Sequence, residues 1–181
     1  MKAFISGGAK NGKTTLGQDL AVYLAAGGTH YYVATMISAD AEDDERIRRH
    51  IADRAGLDFE TIECPRRILS CLDTADRNGV FLLDSVTALL QNEIFPPEKN
   101  YAPDLPAAER CARELLEFVR SVRSVVLVSD YIFSDAGEYD PMTEQYRRAL
   151  AGIDRMLARE CDTVVELAAG RRIVHKGVLP F

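Results

Sequence analysis

The sequence has no apolar run long enough to span a bilayer, which excludes a transmembrane segment. It has no excess of basic charge either. Lysine and arginine together number 22 against 28 aspartates and glutamates, a formal net charge of -6. That balance excludes a general nucleic-acid or anionic-membrane binder and leaves room only for a local basic site. No C-x-x-C pair occurs, and Cys64, Cys71, Cys111 and Cys161 are scattered. They are expected as reduced, small core residues rather than as a zinc site or a disulfide set. The opening residues, "MKAFISGGAKNGKTT", reach lysine and glycine before a secretory apolar segment could form, so the expected compartment is the cytoplasm. Internal repeats and low-complexity tracts are absent as well.

What is present is an ordinary globular composition, 47% hydrophobic and 28% charged over 181 residues, which fits one domain spanning 1–181. Strand and helix patterns alternate. "KAFIS", "YYVAT", "DFETIE", "VFLLD" and "SVVLVSD" read as strands, the last two uninterrupted as in a parallel sheet buried on both faces. Helices are expected from Lys13 to Ala26, over the charged stretch "DDERIRRHIADR", over "RRILSCLDTAD" and over "VTALLQNEIF". Two more follow, over "AAERCARELLEFVRSV" and from Met142 to Arg159. "PPEKNYAPDLP" reads as a loop, "YIFSDAGEYDP" as a long connection, and "TVVELAAGRRIVHKG" as a hairpin turning at Ala169-Gly170. Repeated strand–helix units imply an α/β fold: a mostly parallel sheet flanked by helices, with antiparallel strands at the C-terminal edge.

The strongest motif is "GGAKNGKT", Gly7 to Thr14, which fits G-x-x-x-x-G-K-S/T with a strand before it and a helix after it. Its glycines let backbone wrap phosphate oxygens, and the N–H groups opening the helix point at the anion. Lys13 is expected to reach the β- and γ-phosphates, and the Thr14 hydroxyl to complete a Mg²⁺ shell. The carboxylate directing that ion should close a neighbouring buried strand. Asp84, after "VFLL", fits, although it could equally cap the next helix; Asp130, after "SVVLVS", is the rival.

If "DDERIRRHIADR" is helical, Asp43, Arg46, His50 and Arg54 share one stripe, beside an apolar stripe of Ile47 and Ile51 that should dock the helix. His50 then has an arginine one turn away on each side. Like charges disfavour imidazolium, so the ring is expected to keep a nucleophilic lone pair while the arginines neutralise incoming phosphate. General base, metal ligand and plain surface residue are the competing assignments.

Five motifs in order resemble the bifunctional adenosylcobinamide kinase / adenosylcobinamide-phosphate guanylyltransferase family of cobalamin biosynthesis. They are "SGGAKNGKT"; Tyr32-Val33-Ala34-Thr35 for Y-I/V-A-T; Arg46, Ile47, His50 and Arg54 for R-I-x-x-H-x-x-x-R; Phe59 to Glu63 for W-x-T-x-E, with Phe in place of Trp; and "LLDSVTALLQN", including Asp84, Thr87 and Asn92. The resemblance implies a RecA-like P-loop NTPase fold and a homo-oligomer, a trimer. It implies a cytoplasmic transferase that phosphorylates the cobinamide with ATP or GTP. The same chain would then pass GMP from GTP, through guanylylated His50, to the substrate phosphate, releasing pyrophosphate. The nucleotide-binding residues it implies are Gly7, Gly8, Ala9, Lys10, Asn11, Gly12, Lys13 and Thr14 of the loop, then Ala34, Thr35, Met36, Ile51, Arg54, Glu63 and Asp84. Lys13 and His50 would carry the catalysis, and Thr14 and Asp84 would hold Mg²⁺. The partners are GTP or ATP and a corrinoid, with no nucleic acid and no membrane insertion.

The second half departs from the family pattern. "SDYIFSDAGEYDP" stands where the family has N-E-V/I-G-x-G-I-V-P, and Tyr146-Arg147-Arg148 and Asp154-Arg155 stand where it has F-R-D and N-Q. Those departures leave two other readings open: a P-loop kinase or guanylyltransferase with a different acceptor or only one activity, and a non-catalytic nucleotide-binding regulator.

Overall fold

A computed structural model describes residues 1–99, 103–132 and 137–181. Its elements are β1 (Lys2–Gly7), α1 (Lys13–Ala25), β2 (His30–Ala34), α2 (Ala41–Asp53), β3 (Glu60–Glu63), β4 (Val80–Asp84) and α3 (Val86–Ile94), then α4 (Leu105–Ser121), β5 (Ser124–Asp130), α5 (Pro141–Glu160), β6 (Thr163–Ala168) and β7 (Arg171–Lys176). The strands form one seven-stranded sheet in the order β3-β2-β4-β5-β1-β6-β7. Every pairing is parallel except that of β6 with β7.

The period-two alternation of the strands divides the core between the two faces. Phe81, Leu83, Val125 and Leu127 join the cluster under α3, α4 and α5, while Val80, Leu82, Val126 and Val128 join the cluster under α1. Phe81 is fully buried, stacked on Tyr31 and edge-on to Phe118. Truncating such a ring to alanine costs about 3–5 kcal/mol. On the other face Gly17 brings α1 against the sheet, since a Cβ there would lie 2.9 Å from Leu82 Cδ1.

Two elements differ from the sequence reading. "RRILSCLDTAD" forms only a 3-10 turn over Ile68–Asp73, because Arg67 adopts the left-handed region at φ 51 and its N–H is held by the Glu93 carboxylate. The short turn still buries Ile68, Cys71 and Leu72. α2 is helical as expected but buries none of its residues, and Ile51 is 51% exposed, so the isoleucine stripe does not dock it on the core. The "PPEKNYAPDLP" loop contains a 3-10 turn over Pro97–Lys99, and its residues 100–102 lie outside those described. In "YIFSDAGEYDP" residues 133–136 do likewise, so the departure from the family pattern is described only at its ends. All four cysteines are buried and free, in agreement with small core residues. Among the described residues no helix is long and apolar enough to cross a membrane.

Candidate active site

Parallel pairing lines up the carboxyl ends of β1, β2, β4 and β5: Gly7 lies beside Asp130, and Ala34 beside Asp84. Connections from those ends carry the candidate residues, as open α/β sheets arrange their sites. The loop after β1 is locally determined. A Cβ on Gly7 would lie 2.7 Å from Leu167 O, and Gly12 has φ 89, so neither position accepts a side chain without strain. Asn11 Nδ2 donates to Leu167 O at 2.6 Å and ties the loop to β6.

Lys13 is buried, and its amine is held by oxygens on two sides. Nζ donates to Gly8 O at 2.6 Å and pairs with Asp130 Oδ1 at 2.6 Å. The Thr14 hydroxyl donates to Asp84 Oδ2 at 2.8 Å. The two rival carboxylates are thus separated: Asp84 stands with the threonine and Asp130 with the lysine. Tyr32 also donates to Asp84 Oδ2, at 2.8 Å, and burial, with the Asp84 charge added, pushes its phenol well above the usual range. The Arg54 guanidinium lies 4.3 Å above the Tyr32 ring.

α2 arches over these strand ends and separates two cavities. One, of about 360 Å³, holds Lys10, Asn11, Gly12, Lys13, Thr14 and Asp130 on its P-loop side and Arg49 on its helix side. The other, of about 430 Å³, is lined by Ala34, Met36, Ile47, Ile51, Arg54 and Glu63, among others. The isoleucine stripe therefore faces a cavity rather than the core. Arg46, His50 and Asp84 belong to both linings. His50 Nδ1 lies 3.9 Å from Asp84 Oδ2, so a carboxylate offsets part of the arginine charge around the ring.

Most residues expected at the site are in these linings. Gly7, Gly8 and Ala9 form the rising limb of the loop outside the cavity, with Gly8 O holding Lys13. Thr35 lines neither cavity: it is fully buried, and its hydroxyl accepts from Ser85 N and donates to Ser85 O. Its part is to bind the end of β2 to the end of β4. Asn92 completes that clasp, donating to Thr35 O and Pro65 O. The sequence reading missed the Tyr32 and Asn92 bonds, because each joins residues distant in the chain.

In the second half, Tyr146 donates to Thr87 O at 3.1 Å, and Arg147 donates to Ile132 O at 2.9 Å and covers the Tyr139 ring. Arg148 is exposed. Asp154 is buried, accepting from Ser129 at 2.9 Å, and burial pushes its carboxyl up to about 7; the Ser129 bond opposes this and the Asp130 charge adds to it. None of these residues lines either cavity; Tyr146 ties α5 to α3, Arg147 ties it to the segment after β5, and Asp154 ties it to β5.

A divalent cation fits the Thr14–Asp84 pair as one hydroxyl and one carboxylate beside a phosphate loop. Among the described residues no group of three or more His, Cys, Asp or Glu could hold a metal. A cation here would therefore draw its remaining oxygens from water and nucleotide phosphate.

A mostly parallel sheet with a P-loop after its first strand, and a hydroxyl–carboxylate pair beside that loop, defines a RecA-like P-loop nucleotide-binding protein. Among the solved structures that share the fold are these two. One, described as an ATPase domain, superposes with a TM-score of 0.54 at 11% identity, over 97% of this chain and 76% of that one. The other, the flagellar accessory protein FlaH from Methanocaldococcus jannaschii, gives 0.51 at 13% identity, over 97% and 78%. A search of curated proteins finds no match. The family model described as cobinamide kinase / cobinamide phosphate guanyltransferase matches residues 3–174. The chain belongs to that family, the transferases of cobalamin biosynthesis that act on nucleotide and corrinoid substrates.

Proposed function

We propose that this chain phosphorylates adenosylcobinamide and then transfers GMP from GTP, through guanylylated His50, to the resulting phosphate. The observation that carries the reading is the place of His50, in the lining of both cavities with Arg46 and Asp84. A triphosphate on the loop with its nucleoside in the larger cavity would set its α-phosphate at that shared wall. Lys10, Lys13 and the α1 N-terminus would hold the β- and γ-phosphates; Ala34, Met36, Ile51, Arg54 and Glu63 would face the nucleoside.

His50 then attacks the α-phosphorus, pyrophosphate leaves, and the corrinoid phosphate displaces the imidazole. Arg46 lies beside the same atom and neutralises charge as it develops. Mg²⁺ bound at Thr14 and Asp84 would supply charge neutralisation on the phosphate oxygens. For phosphorylation, Lys13 must leave Asp130 for the phosphates. The full assignment includes one domain, a homo-oligomer and a cytoplasmic location.

The test is to incubate the protein with Mg²⁺ and GTP labelled at the α- or the γ-phosphate, denature it, and count retained label. The expected result is α-label, acid-labile and base-stable, absent from His50→Ala. Retained γ-label, or α-label indifferent to that substitution, sinks the histidine assignment. A second assay, with adenosylcobinamide and ATP, tests phosphorylation; absence of a phosphorylated corrinoid shows a chain with guanylyl transfer alone or a different acceptor.

A further inference from the structure

The two ring nitrogens of His50 have different surroundings. Nδ1 is buried and has no hydrogen-bond partner, although the side chain as a whole is 26% exposed. Nε2 does not share that enclosure. The acceptor facing Nδ1 is Asp84 Oδ2 at 3.9 Å, about 1 Å beyond an ordinary hydrogen bond. That oxygen is fixed in place, since Thr14 and Tyr32 each donate to it at 2.8 Å. A neutral imidazole carries one N–H and one lone pair. A lone pair aimed at this carboxylate is repelled and an N–H is attracted, so the carboxylate selects between tautomers.

We infer that Asp84 is a positioning residue for the nucleophile, holding the ring proton on Nδ1 so that Nε2 alone attacks the α-phosphorus. The inference rests on the guanylylated-histidine function proposed above and deepens it. In the forward step the Nε2 lone pair forms the N–P bond, the bond from the α-phosphorus to its bridging oxygen breaks, and pyrophosphate departs with that electron pair. No proton has to leave. The ring becomes a cation that keeps its Nδ1–H, and Asp84 balances the new charge across a gap short enough to close into a hydrogen bond. When the acceptor phosphate takes the GMP, Nε2 regains its lone pair and the starting tautomer is restored. Asp84 would thus serve the cation through Thr14 and the nucleophile through Nδ1 from a single carboxylate.

The test uses the full-length protein labelled with ¹⁵N-histidine and has two readouts. The first locates the nucleotide on the ring of the trapped adduct by long-range ¹⁵N–¹H correlation; attachment at Nε2 is expected, and attachment at Nδ1 overturns the inference. The second reads the resting tautomer at pH 8 with a chelator and no nucleotide. The Nδ1–H form is expected in the parent and in Tyr32→Phe, which disturbs the same cluster but keeps the carboxylate. It should be lost in Asp84→Ala. A tautomer unchanged by Asp84→Ala overturns the role given to Asp84. Failure to form any adduct counts against the proposed function instead, and the tautomer comparison still decides this inference.

Discussion

Lys13 has its charge answered within the protein itself. Its amine is buried between Gly8 O and Asp130, so a phosphate bound there as proposed would compete with a carboxylate for it. Asp130→Asn leaves a weaker, neutral partner, and ATP affinity is expected to rise about tenfold by calorimetry, the worth of one charge-assisted bond. Unchanged or weaker binding means the pair does not compete. The form of the loop was legible from spacing, because G-x-x-x-x-G-K-T is a contiguous device whose geometry its own backbone determines. Which carboxylate would stand with Thr14 and which with Lys13 could not be read as a contact from the sequence. Both close buried strands, and only the sheet order, with β5 between β4 and β1, brings one to Thr14 and the other to Lys13. Thr35 shows the same limit: its motif marked a site position, and its hydroxyl is spent on Ser85.

α2 is held mainly by its own sequence. Asp40 caps it, accepting from Glu42 N and Asp43 N at 2.9 Å, and Glu45 pairs with Arg48 and Arg49. No residue of it is buried. Its amides should therefore exchange faster than those of α3, by a local opening, and, on the proposed function, slow when GTP and Mg²⁺ are added. Protection equal to that of α3 without ligand removes the idea of an independently moving helix. The periodicity of "DDERIRRHIADR" gave the helix correctly, but a pattern of faces cannot say whether an apolar stripe meets a core or a cavity. α5 makes a second prediction through Asp154. Its carboxyl keeps its proton up to about 7 in the folded chain and loses it near 4 when unfolded. Across that window the folded state binds more protons, so this group's contribution falls as pH rises from about 4 to 7 and is gone above it. Asp154→Asn keeps the Ser129 bond without the charge. Chemical denaturation at pH 5 and pH 8 should show a smaller loss for the variant than for the parent, by on the order of a few kcal/mol. Equal losses show that Asp154 does not titrate in this range.

At the scale of the molecule, the fold class was legible because parallel strands buried on both faces read as unbroken apolar runs, and "VFLLD" and "SVVLVSD" could be little else. The cavities were not legible, since they exist only where separate connections meet above the sheet. The proposed homo-oligomer predicts a light-scattering mass near three times the 20.1 kDa of one chain; a mass of one chain refutes it. The wall between the cavities has a thermodynamic consequence. Ligands that share Arg46, His50 and Asp84 cannot bind independently. If pyrophosphate on the loop changes the affinity for guanosine by some factor, guanosine must change the affinity for pyrophosphate by that same factor. On the proposed function, the coupling free energy between these two ligands measures, without any turnover, how much of the site's binding strength would be held at the bond to be broken.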